Sequence, residues 1–229
     1  SPSTGEWRYN TTTNLIEFWD GAAWTDLQSE DIPAVPSENF NVVLYTGNGS
    51  TQSITGVGFK PDWVWIKERG PAAENHNLID STRGTSKILA SNNNNAEFTS
   101  TRFTSFDADG FTLANNNETN DSGSTYVAWC WKANGGTTSS NTEGSITSTV
   151  QTNTKARFSI IKYTGNGTTG ATIGHNLGVV PDMFIVKRLT GSGTWNWRVY
   201  HKGMDGSNPQ DYNLALNSDS ARFNRTEWN

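Results

Sequence analysis

Apolar residues fall in short, separated runs along most of the chain. FNVVLYTG, QSITGVG, DWVWIKERG, NLIDSTRG, KILASN, RFTSFDADGFTLAN and TYVAWCWKA follow one another between Phe40 and Ala133. Runs of this length, rich in Val, Ile, Thr and aromatics and bounded by Gly, Asn and Asp, predict β-strands. Seven or eight of them at such spacing predict a β-sandwich or jelly roll. VVLY, WVWI and YVAWCW are the densest and are the predicted inner, core-forming strands.

The pattern then repeats. FSIIKYTGNG, from Phe158, restates FNVVLYTGNG, from Phe40. GATIGHNLGVVPDMFIVKR, WNWRVYHKGM and DYNLALNSDSARF follow in the order of their earlier counterparts, with two residues inserted before Pro181 relative to Pro61. The first copy closes through FDADGFTLANNNETNDSGSTYVAWCWKA, whereas the second reaches Asn229 before any such strands. An open sandwich would leave strand edges and core exposed, so the expectation is a truncated second repeat of a longer chain.

Ahead of both copies, EWRYN and LIEFWDG joined by TTTN predict a β-hairpin, with Asp20-Gly21 turning into AAWTDL. A lone hairpin is marginal in water. Trp7, Tyr9, Phe18, Trp19 and Trp24 are therefore expected to be covered by a following domain or by other copies of the hairpin. The predicted organisation is all-β: a hairpin module at 1–28, a linker at 29–39 carrying Pro33 and Pro36, and a first sandwich repeat at 40–134. A Ser/Thr/Gly-rich linker at 135–156, in which SITSTVQ is a candidate edge strand, leads to the truncated second repeat at 157–229.

Composition makes the cores small rather than absent. Only 33% of the 229 residues are hydrophobic, and mean hydropathy is -0.63. Ten Trp, ten Phe and six Tyr each remove roughly 150–250 Å² from water when buried, and disordered chains are poor in them. The net charge of -5 with scattered Lys and Arg gives no basic stripe, which excludes nucleic acid as a partner. No apolar run approaches the roughly 18–20 residues of a membrane span, and no signal region opens the sequence. Cys130 is the only cysteine, so no intrachain disulfide forms, which fits folding in a reducing cytoplasm.

Candidate chemistry is sparse. Asp107 to Gly110, DADG, offers alternating carboxylates but lacks the further acids of a calcium loop, and a hairpin turn is the preferred reading. His76, His175 and His201 share no zinc-ligand spacing. Glu68, Glu74, Asp80, Glu97, Asp107 and Asp109 have no assigned role, and a glycosidase pair cannot be read from sequence. TGNG lacks the Lys-Ser/Thr and following helix of a phosphate loop, so it is read as a turn. Trp63 and Trp65, Trp129 and Trp131, and Trp195 and Trp197 each alternate, which places each pair on one sheet face. Core packing is the preferred reading of the pairs; Trp195 and Trp197 are the candidate glycan contacts.

Two sets of motifs carry a resemblance. RYN, TTTN, IEFWDG and the following Trp24 resemble a short module of phage tail-fibre and other virion appendage proteins, which reads G-x-x-R-Y-N and then E-x-x-x-G-x-x-W. YTGNG, PDWVWIK, DSTRG, DGFTL and YVAWCWKA resemble a repeated domain of large tail-associated proteins of phages of marine bacteria and cyanobacteria. The resemblance implies a virion structural protein, a tail fibre, spike or surface appendage contributing to host attachment. Such a protein is assembled in the host cytoplasm and exposed outside the cell. It further implies a homo-oligomer, by fibre architecture a trimer, contacting other virion proteins and a host-surface glycan. No catalytic residue, cofactor or metal comes with it. A carbohydrate-binding module without structural role and a polysaccharide depolymerase are the alternatives.

Overall fold

The computed structural model describes residues 1–12, 15–26, 36–71, 74–191, 193–224 and 228. Most of the predicted linker 29–39, including Pro33, and half of the TTTN turn lie outside the described residues. The chain is all-β and divides into two compact units, Ser1–Ala34 and Val35–Asn229.

The first unit is a three-stranded antiparallel sheet of β1 (Trp7–Asn10), β2 (Leu15–Trp19) and β3 (Trp24–Asp26). The predicted hairpin gains its third strand at Asp20, whose Oδ1 accepts the amides of Ala22 and Ala23 at 2.7 Å each. Strand register puts Trp7 and Tyr9 opposite Phe18 and Ile16 on one face. Arg8, Glu17, Trp19 and Trp24 share the other. There Glu17 accepts from Asn10 at 2.8 Å and pairs with Arg8 at 2.7 Å, which together hold its carboxyl below the usual carboxylate range. On the first face Trp7 is 64%, Tyr9 58% and Ile16 50% exposed.

The second unit opens with nine strands, eight of which realise the predicted runs. They are β4 (Phe40–Thr46), β5 (Gln52–Ile54), β6 (Trp63–Glu68), β7 (Asn77–Asp80), β8 (Lys87–Ala90), β9 (Phe98–Thr99), β10 (Phe103–Asp107), β11 (Gly110–Leu113) and β12 (Thr125–Trp131). One turn of helix, α1 (Asn117–Asn120), precedes β12 and is capped by the Asn116 side chain. A six-stranded sheet runs β4-β12-β6-β7-β8-β9 and a three-stranded one runs β10-β11-β5. Ile54, Phe103, Phe111 and Leu113 from the small sheet share one buried core with Val64, Ile66, Ile79, Ile88, Tyr126, Ala128 and Cys130 from the large one. TGNG is a crossover rather than a hairpin turn, because β4 pairs with β12 while β5 pairs with β11 in the other sheet.

The second copy contains β13 (Ser139–Asn141), β14 (Ser148–Asn153), β15 (Phe158–Tyr163), β16 (Met183–Val186), β17 (Arg198–His201), β18 (Tyr212–Ala215) and β19 (Phe223–Asn224). The order β16-β17-β18-β19 reproduces β6-β7-β8-β9. β15, the counterpart of β4, pairs instead with β14, and among the described residues no strand joins it to β16.

Part of the segment 135–156, read from its composition as a linker, is thus strand, and the candidate edge strand SITSTVQ overlaps β14, which lies between β13 and β15. Polar anchors explain why it is held. The buried Gln151 accepts from the amides of Asn134 and Gly136 and donates to the hydroxyls of Ser81 and Thr82. The buried Asp62 accepts from Ser81, Ala133 and Gly135 at 2.7, 2.7 and 2.9 Å. A buried carboxylate is tolerated where such donors surround it, and the Gln151 bonds to Ser81 and Thr82 tie β14 to the first copy.

A tryptophan face on the central sheet

In β6 and β12 the period of two sends Val64 and Ile66, and Tyr126, Ala128 and Cys130, into the shared core. Trp63, Trp65 and Lys67, and Val127, Trp129 and Trp131, must then point the other way. On β4 Val43 and Tyr45 pack inward, while Phe40, Val42 and Leu44 share the outward face. Register lines these residues up across the strands, Trp65 with Trp129 and Val42, Trp63 with Trp131 and Phe40, and Lys67 with Val127 and Leu44. Of the strands predicted as inner, β6 and β12 are inner and β4 is the edge strand of the sheet, and the tryptophans of β6 and β12 turn away from the core.

Part of this face is covered by the second copy. Phe158 lies nearly parallel to Trp63, with ring centroids 5.7 Å apart, and Trp63 stacks on Trp131 at 4.6 Å. Trp197 is buried with Leu78 and Leu89, and its Nε1 donates to the carbonyls of Ala90 and Asn93 at 3.0 and 3.1 Å. The uncovered part forms a depression of about 410 Å³ lined by Trp65, His76, Trp129 and Trp131. Trp65 and Trp129 sit side by side with centroids 5.7 Å apart. Leu44, 63% exposed, extends the apolar surface along β4.

His76 is fixed at both backbone ends, its amide donating to Asn92 Oδ1 and its carbonyl accepting from Ser91. Burial and the nearby charge of Lys67 hold its imidazole below the ordinary 6.5, so the ring is mainly neutral at neutral pH. Trp65 Nε1 is buried without an acceptor among the described residues.

The residues singled out from sequence are dispersed. Trp197, at 4% exposure, is a packing anchor that no glycan reaches, because a neighbouring sheet occupies its face; Trp195 is 49% exposed, with Arg188 lying 4.7 Å over its ring. Asp109 accepts from the amides of Gly58 and Gly56, which hold its carboxyl low. Asp107 accepts from the Ser105 and Thr112 hydroxyls. DADG thus closes the β10–β11 turn and braces a loop.

Asp80 and Glu97 both pair with Arg83. Glu68 lies buried on the core side of β6, with Oε2 unpartnered among the described residues. His175 and His201 each accept an amide two residues on, from Leu177 and Gly203. Among the described residues no group of three His, Cys, Asp or Glu is placed to hold a metal. Cys130 is buried, and burial pushes its thiol up to about 12.

The tryptophan face was missed as a site because alternation shows which residues share a face and not which face is enclosed. A signal was available: Val64, Ile66, Ala128 and Cys130 alternate with the tryptophans and can fill a small core without them.

Residues 35–229 match a domain of unknown function, DUF7483. The chain belongs to this family. The DUF7483 match coincides with the second compact unit, Val35–Asn229, and leaves the three-stranded sheet outside it. Comparison with curated proteins and with solved structures finds no match.

Proposed function

We propose that this DUF7483 protein is a structural component of a virion appendage, of the phage tail-fibre or spike kind, that contributes to attachment at a host surface without catalysing a reaction there. One observation carries the reading: the central sheet completes its core with one face and leaves indoles on the other, only partly covered. Contiguous exposed apolar surface of this kind marks interaction sites. The duplicated strand order, with Asp80, Glu97, Asp107 and Asp109 tied up in ion pairs and turns, favours construction and display over chemistry. The exposed Trp7 and Ile16 of the first unit support self-association, with three copies as the fibre-like arrangement.

Immunogold labelling of virus particles from the source, with antibody to this chain, is expected to decorate an external appendage. Native mass spectrometry is expected to find three copies. Label absent from particles overturns the assignment, and a monomer with an ordered first unit overturns the trimer.

A further inference from the structure

The depression beside Trp129 has features that a packing surface does not need. It is walled by flat rings, Trp65 and Trp129 on adjacent strands and Trp131 one level further along, and its size is that of a small-ligand site rather than a protein interface. Its lining carries one polar residue. His76 stands there with a fixed backbone and a largely neutral ring able both to donate and to accept. Lys67 lies on the same face of β6 and one register level from Trp65, close enough for its charge to act on His76. Among the described residues no carboxylate pairs with it.

A ligand that fits must present a flat apolar face to the indoles, hydroxyls to His76, and negative charge toward Lys67. A pyranose ring does the first two through its C–H face and its equatorial oxygens, and an acidic substituent does the third. An apolar protein segment would leave the imidazole and the ammonium without partners.

We propose that Trp65, Trp129, Trp131 and His76 form a binding site for an acidic, uronate-bearing glycan, in which a pyranose stacks on Trp129 and its carboxylate turns to Lys67. The proposal rests on the surface-attachment reading and names the class of ligand taken by that face.

The test is titration of the full chain, carrying ¹⁵N-labelled tryptophan, with hexamers of uronic acids, of glucose and of N-acetylglucosamine. The indole N–H signals are assigned from single Trp→Phe variants. The uronate hexamers are expected to shift the Trp129 and Trp65 signals and to leave those of Trp7 and Trp197 in place. Trp129→Ala is expected to weaken calorimetric binding at least tenfold, and Lys67→Ala to remove the preference for uronate over neutral hexamers. Trp195→Ala serves as the control that leaves affinity unchanged.

No shift with any hexamer at millimolar concentration overturns the site. Shifts centred on Trp195 overturn its location, and neutral hexamers binding as tightly as uronates overturn the role of Lys67. Because the wild-type spectrum reports directly, a variant that fails to fold leaves the result standing. Decorated particles with no glycan binding would sink this site alone; glycan binding with undecorated particles would sink the appendage reading alone.

Discussion

The two copies of the repeat begin with nearly the same residues and end in different environments. In the first, Tyr45 stacks on the buried Tyr126 at 5.0 Å and its hydroxyl donates to the Thr119 carbonyl. Its counterpart Tyr163 is 38% exposed. Gly47 sits against the loop before β12, where an added Cβ would overlap the Asp121 carbonyl, whereas Gly165 faces open space. His76, the residue before β7, borders the aromatic depression; Trp197, the residue before β17, is driven into the outer face of the first sheet. A strand's sequence therefore specifies its conformation and alternation, while the strands that close over it decide whether its side chains pack, display or dock.

The largest effect should come from the joint between the copies. Trp197→Ala removes a buried ring and leaves the Ala90 and Asn93 carbonyls without their donor, so denaturant unfolding should show a loss of roughly 3–5 kcal/mol. Limited proteolysis should then cut the second copy first. Trp195→Ala, at the exposed member of the pair, should stay within about 0.5 kcal/mol. Equal losses at the two positions would refute the assignment of joint and surface.

Next come equivalent strand positions. Ile66 is fully buried and Val186 half-buried. Ile66→Ala should cost about 3 kcal/mol, in the range for a core aliphatic. Val186→Ala should cost about 1 kcal/mol, since less apolar area leaves water there. Matching costs would mean that the second copy is as well enclosed as the first.

The repeated glycine separates them again. Gly47→Ala forces the β12 loop away and should destabilise by about 1–3 kcal/mol, while Gly165→Ala should be neutral or raise stability by roughly 0.5 kcal/mol by restricting the unfolded chain. Paired melting curves decide between these outcomes.

The smallest effect is electrostatic and confined to the first copy. Burial pushes the Glu118 carboxyl up, but the Arg102 charge and hydrogen bonds from Asn75, Arg102 and Asn77 outweigh it and leave it below 4.5. A carboxyl held low in the fold adds stability that is complete above the unfolded value near 4.5 and is lost as pH falls through the folded one. Glu118→Gln should therefore flatten the melting temperature against pH below about 4.5; an unchanged slope would remove Glu118 from the account.

The runs read from sequence became β4 to β8 and β10 to β12 because β-branched and aromatic residues between turn formers specify extended backbone whatever lies above them. The two-residue β9 and the four-residue α1 carried too little pattern to be seen. β14 could be read only as a candidate edge strand, SITSTVQ, because side-chain hydrogen bonds from Gln151, rather than an apolar run, hold it in place; it lies instead between β13 and β15. For the candidate site, the sequence determined that Trp65 and Trp129 lie on one side of their strands, since the period of two allows nothing else. It could not determine which side was outside. That depends on the other surfaces: β5, β10 and β11 enclose Val64, Ile66 and Cys130 on one face of the sheet, and Trp197 with Phe158 covers only part of the other. Burial is a property of two surfaces meeting, and a strand's sequence specifies only one of them.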